Sequence, residues 1–149
     1  MNSYEDARFR LDLARGYLAR AESDAREKKW DGCLANAQEA VENAGKSILA
    51  HFRPTPQTHD VIDPLEKLLK LDAVPRTIKQ QLNAALDDFR NMGIKMHIRA
   101  TYGDESTRTP PWKLIQEREA SEGLGKARRA TALAETVFTE MTGSPDQKS

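Results

Sequence analysis

Residues 34–49 read Leu34-Ala35-Asn36-Ala37-Gln38-Glu39-Ala40-Val41-Glu42-Asn43-Ala44-Gly45-Lys46-Ser47-Ile48-Leu49. Leu34, Ala37, Val41, Ala44 and Ile48 recur at spacings of three and four, so the stretch predicts a helix with one apolar stripe. Upstream, Tyr4, Ala7, Leu11, Ala14, Leu18, Ala21 and Ala25 repeat that pattern along a first helix. The short connection Lys28-Lys29-Trp30-Asp31-Gly32 makes the two helices antiparallel neighbours. Downstream, Arg53-Pro54-Thr55-Pro56-Gln57 ends the second helix, because proline cannot continue the backbone ladder.

The same reading extends to the C-terminus. Thr58 and Asp63 are both N-cap candidates for a short third helix carrying Val61, Ile62, Leu65, Leu68 and Leu69. Val74-Pro75 breaks it, and a fourth helix is expected from about Arg76 to about Ala100, with Ile78, Leu82, Leu86, Phe89 and Met96 facing the core. Residues 102–111 are rich in turn formers and read as a loop. A last helix carries Leu124, Ala127, Thr131, Ala134, Phe138 and Met141, and Gly143 stops it. There is no strand pattern and no internal repeat. The chain is thus expected to be all-α: one helical bundle over residues 1–143 and a disordered polar tail over 144–149.

Bulk composition agrees. A chain of 149 residues holds one domain with one core. Charged residues make up 31% and aromatic residues 6%, which suits a soluble helical bundle. The single cysteine, Cys33, excludes an internal disulfide, points to the cytoplasm and reads as a small buried residue. The start, Met1-Asn2-Ser3-Tyr4-Glu5-Asp6, is unlike a signal peptide, and no stretch approaches the roughly 20 apolar residues of a membrane span. The stripes are rich in alanine, which buries little area, so a second copy is expected to cover apolar surface in a homodimer.

The formal net charge is zero, so contact with RNA must come from a local patch. Between Arg76 and Arg99 five basic residues (Arg76, Lys79, Arg90, Lys95, Arg99) face two acids, Asp87 and Asp88. Within this region lies Arg90-Asn91-Met92-Gly93-Ile94-Lys95-Met96-His97. In a continuous helix Arg90 and His97 would share a face about 10 Å apart along the axis. A guanidinium grips phosphate with paired hydrogen bonds, and an imidazole carries a proton near neutral pH. The plainer reading is a solvated helix face. Tyr102 and Trp112 offer rings for base stacking, although Tyr102 and Asp104 also suit simple closure of the loop. Trp30 reads as an anchor of the core or hinge, and Arg128-Arg129 as surface charge. Glu42 and Lys46 read as an exposed i,i+4 ion pair, and His59 as a local cap at a helix start. His51, His59 and His97 stand apart in sequence, with no metal-ligand spacing.

Several motifs resemble the HEPN domain family. Residues 37–49 are similar to its signature helix, with Glu42 and Lys46 at the characteristic spacing of four. Thr58-His59-Asp60 resembles the start of its next helix. Arg99-Ala100-Thr101-Tyr102-Gly103-Asp104, followed by Pro110-Pro111-Trp112, resembles its arginine-tyrosine-x-aspartate loop. The likeness spans about residues 5–140. It implies an up-down four-helix bundle with an added short helix, commonly dimeric. Many members are ribonucleases whose pattern is Arg, then Asn, Asp or His, then a His after four to six residues. Arg90, Asn91 and His97 fit at the longest spacing, although Gly93 weakens a helix interior by roughly 1 kcal/mol.

The resemblance implies a metal-independent endoribonuclease with no cofactor. His97 would be general acid or base, Arg90 would neutralise the phosphate and Asn91 would orient it. Lys46, Lys95, Arg99, Tyr102 and Asp104 would bind RNA or nucleotide. Such enzymes are often toxins held by a nucleotidyltransferase-like antitoxin. The competing implication is a non-catalytic HEPN module that binds a nucleotide, RNA or a protein partner.

Overall fold

A computed structural model describes residues 3–143; the tail expected over 144–149 lies outside the described residues. Among the described residues seven helices follow one another: α1 (Ser3–Arg26), α2 (Trp30–Ala50), α3 (Ile62–Leu68), α4 (Arg76–Ala85), α5 (Ile94–Tyr102), α6 (Pro111–Leu114) and α7 (Glu117–Thr142). A 3-10 turn, Leu86–Asp88, extends α4. Among the described residues there is no strand, only an isolated bridge between Asp104 and Thr109.

Cross-helix hydrogen bonds fix the directions. Ser47 Oγ donates to the Ala7 carbonyl, Arg10 to Asn43, and Asn36 to Asp24, so α1 and α2 run antiparallel. Arg15 reaches Glu135 and Arg128 reaches Glu22, so α7 also opposes α1. Gln81 donates to Glu140 while Arg129 pairs with Asp88, so α4 opposes α7. The result is an up-down bundle of α1, α2, α4 and α7.

Helix α2 lies at its centre, against α1, α7, α5, α3 and α6. It is buried on nearly every side from Ala37 to Ala50, not only along the expected stripe. Small residues make this possible: Ala7, Ala14 and Ala21 of α1 and Ala120, Ala127, Ala130 and Ala134 of α7 are fully buried. Leu11, Leu34, Ile48, Leu49, Ile78, Leu82, Phe89 and Phe138 fill the space between. Cys33 is buried as expected, and burial, helped by Asp24, pushes its thiol up to about 11. Gly143 stops α7 in the left-handed conformation at φ 73°.

Two expected boundaries shift. Trp30, Asp31 and Gly32 already belong to α2, and the turn is made by 27–29 with Lys28 at φ 60°. The helix expected from Arg76 to Ala100 is broken between 86 and 93. Asn91 takes a left-handed φ of 59°, and Gly93 is extended. Gly93 meets Asp60 so closely that an added Cβ would overlap the Asp60 carboxylate. Asp60 Oδ1 then accepts the Ile94 N–H at 3.1 Å, which starts α5. No helix is long and apolar enough to cross a membrane among the described residues.

Candidate functional site

One face of α2 supplies the floor of a polar cluster. Gln38, Glu42 and Lys46 follow at spacings of four, with Glu39 beside them. Lys46 Nζ lies 2.9 Å from Glu42 Oε2, and both side chains are buried, 9% and 7% exposed. The ion pair read as exposed is therefore interior, because α3, α5 and their connections cover this end of α2. Gln38 Nε2 donates to Glu42 Oε1 at 3.1 Å and to the Met92 carbonyl at 3.3 Å. Burial pushes the Glu42 carboxyl up, but hydrogen bonds from Lys46, His59 and Gln38 outweigh it and hold the group below its ordinary value.

Two histidines stand over this floor. Thr58 Oγ1 accepts the Asp60 N–H at 3.0 Å, a tight local turn. Asp60 is fixed to the start of α5, so the turn carries His59 to α5. Its Nδ1 lies 2.7 Å from Glu42 Oε1. It is therefore Asp60 that caps a helix; His59, expected as a local cap, reaches across to α2. His97 sits one turn into α5, its N–H bonded to the Gly93 carbonyl. Its Nδ1 is 3.3 Å from Gln38 Oε1 and 3.4 Å from Glu39 Oε1. The two imidazoles stack at 4.6 Å with 12° between planes, and the Tyr102 ring stands edge-on to His97 at 6.4 Å.

The tautomers follow from these partners. Glu42 accepts Nδ1–H from His59 and Gln38 Oε1 accepts Nδ1–H from His97, which leaves an Nε2 lone pair on each ring. Glu39 is pushed up by burial and by the Glu42 charge, partly offset by His97, His59 and Lys46. Two of the three histidines that stand apart in the sequence thus meet here: one ligand atom each from Glu39, His59 and His97 lies within 4.8 Å of the other two.

The remaining sequence candidates divide. Asn91, Lys95 and Arg99 line a surface pocket with Asp60 and Ile94; Lys95, Arg99 and Asp104 line a second with Ile98 and Ser106. Both pockets flank α5. Arg99 makes a two-pronged pair with Glu119 at 3.0 and 3.2 Å. Asp104 ties its own loop, accepting from Ser106 Oγ and from the N–H groups of Ser106 and Thr107. The Ser106 hydroxyl leads the hydrogen bonds that hold its carboxyl below its ordinary value. Arg90 is held elsewhere, by Asp87 Oδ1 at 3.0 Å and near Glu66 at 3.9 Å. No continuous helix joins Arg90 to His97, so the two residues do not share a helix face. Gln38, Glu39 and His59 were not singled out as site residues from sequence. Their signal was a polar row on a helix and a Thr-His-Asp turn whose contacts are all long-range.

The HEPN domain family matches residues 7–137. Among solved structures, TT1696 from Thermus thermophilus is 26% identical, with a TM-score of 0.67, covering 92% of this chain and 99% of that one. No curated protein matches.

Proposed function

The chain belongs to the HEPN domain family, and on that premise we propose that it is a metal-independent endoribonuclease acting as a cytoplasmic homodimer. We further assign it the toxin role, opposite a nucleotidyltransferase-like antitoxin. The observation that carries the reading is the stacked pair His59/His97, each ring held at Nδ1 by a side chain of α2. RNA cleavage by its own 2′-hydroxyl needs a base to take the 2′-O proton and an acid to protonate the departing 5′-oxygen. The 2′-oxygen bonds to phosphorus as the 5′-oxygen leaves, giving a 2′,3′-cyclic phosphate. In the reacting state one imidazole takes the 2′-O proton on its Nε2 lone pair, and the other, carrying a proton on Nε2, delivers it to the 5′-oxygen. Lys95, which lines both pockets beside α5, supplies positive charge for the backbone; Arg99 lines them too, with its guanidinium paired to Glu119. Tyr102, 64% exposed, offers a face for a base.

A second reading, a non-catalytic HEPN module that binds nucleotide, RNA or a protein partner, is favoured by Arg90. Its guanidinium is engaged by Asp87, while Glu39 and Glu42 put negative charge beside His97. The two readings separate on labelled RNA digested in EDTA by wild type and by His97→Ala. Cleavage by the first and not the second supports the nuclease; inertness of both, with retained RNA or nucleotide binding, supports the module.

A further inference from the structure

We propose that Glu39, His59 and His97 form a binding site for a divalent transition-metal ion, with zinc as the reference ion. The site stands on its geometry, independently of the nuclease reading. Two imidazoles and one carboxylate are a donor set that suits zinc, nickel or cobalt rather than magnesium or calcium. His97 Nδ1 and Glu39 Oε1 are 3.4 Å apart. Bonds of about 2.1 Å in a tetrahedral array separate two donors by about that same distance. One ligand atom from each of the three residues lies within 4.8 Å of the others, so a side-chain adjustment on the order of 1 Å brings the third donor to a shared tetrahedral centre. The His59 side chain, 40% exposed, makes that adjustment by pivoting about its Nδ1–H bond to Glu42.

The surroundings fit a cation. Glu42 holds the Nδ1–H of His59, the outer carboxylate that metal-bound histidines usually have, so Nε2 is the donor. Glu39 and Glu42 outnumber the one ammonium, Lys46, which is bound to Glu42. Burial and the neighbouring carboxylate both disfavour a free Glu39 charge, and a divalent ion on its oxygen relieves both. Coordination through His97 Nδ1 moves that ring's proton to Nε2 and releases the bond to Gln38. The same imidazole then has no lone pair for proton transfer, so metal loading and cleavage exclude each other on one copy.

The test uses untagged, metal-free full-length protein titrated with Zn²⁺ by calorimetry, and with Co²⁺ by its visible absorption. The expected result is one ion per chain and a Co²⁺ spectrum of low-symmetry four- or five-fold coordination. His59→Ala, His97→Ala and Glu39→Gln should each weaken Zn²⁺ binding at least tenfold, and Glu42→Gln about tenfold through the outer shell. Circular dichroism checks that each variant is folded; if an alanine variant is not, the near-isosteric Glu39→Gln decides. No Zn²⁺ binding by wild type, or equal binding by folded Glu39→Gln and wild type, overturns the proposal. Zinc binding by a protein that cuts no RNA upholds it and removes only the nuclease reading.

Discussion

Glu42 accepts hydrogen bonds from Lys46, His59 and Gln38 while almost fully buried. Removing its charge leaves the Lys46 ammonium buried and unpaired. Glu42→Gln is therefore expected to cost about 3 kcal/mol, read from urea unfolding. Restoring neutrality with Glu42→Gln/Lys46→Met should recover much of the loss. His51 gives a second expectation. It lies edge-on to Phe52 and tilted against Phe138, its Nε2 has no hydrogen-bond partner, and burial pushes its pKa from 6.5 down to about 4. Because the folded value is depressed, the unfolded chain takes the proton first as pH falls. The contribution of this ring should therefore fall between pH 6.5 and 4 and stay constant below, where the loss from carboxylates such as Glu42 takes over. The loss attributable to this ring is on the order of 2 kcal/mol once its partial exposure is allowed for. Melting curves of wild type and His51→Phe across that window should diverge, with the variant losing less. The spacing of Glu42 and Lys46 was legible in the sequence, but their burial was not. An i,i+4 pair reads the same on a covered helix as on an open one, and what covers α2 comes from residues distant in the chain.

Helix α5 is an element set up from outside itself. Its first N–H is capped by Asp60, and Gly93 leaves room for that carboxylate. Asp60→Ala should cost about 1 kcal/mol and speed hydrogen exchange in the first turn of α5. Gly93→Ala should do the same by displacing Asp60, at about 1–3 kcal/mol. Both should also loosen the His59/His97 stack. The long helices α1, α2 and α7 were readable from periodicity and stops because their contacts follow the local pattern. The break between α4 and α5 was not. Ile78, Leu82, Leu86 and Phe89 all reach the core, with Met96 partly buried, so the apolar spacing runs on through the break. Gly93 was visible as an oddity, but its reason lies in Asp60, far upstream.

At the scale of the whole molecule, the up-down bundle hides α2 and leaves α5 outside it. Ile94, Ile98 and Tyr102 form an exposed row on α5, with Ile98 at 47%. Helix α5 also carries His97, so pairing of two copies along this row would bring two histidine clusters to one cleft. Light scattering should give twice the 16.7 kDa chain mass, and Ile98→Lys should return it to the single value. Fold class and family were legible because they rest on periodicity and on motifs of residues close together in the chain. The site was legible in part: His97 stood out, but its companions come from α2 and the 58–60 turn, which only the folded chain brings together. The most direct measurement is digestion of labelled RNA in EDTA by wild type, His97→Ala and His59→Ala, with folding of each checked by circular dichroism. The expected result is a 2′,3′-cyclic phosphate product from wild type and at least a hundredfold slower cleavage by either variant. Undiminished cleavage by folded His97→Ala, or none by wild type, would contradict the assignment of the His59/His97 pair as the catalytic centre.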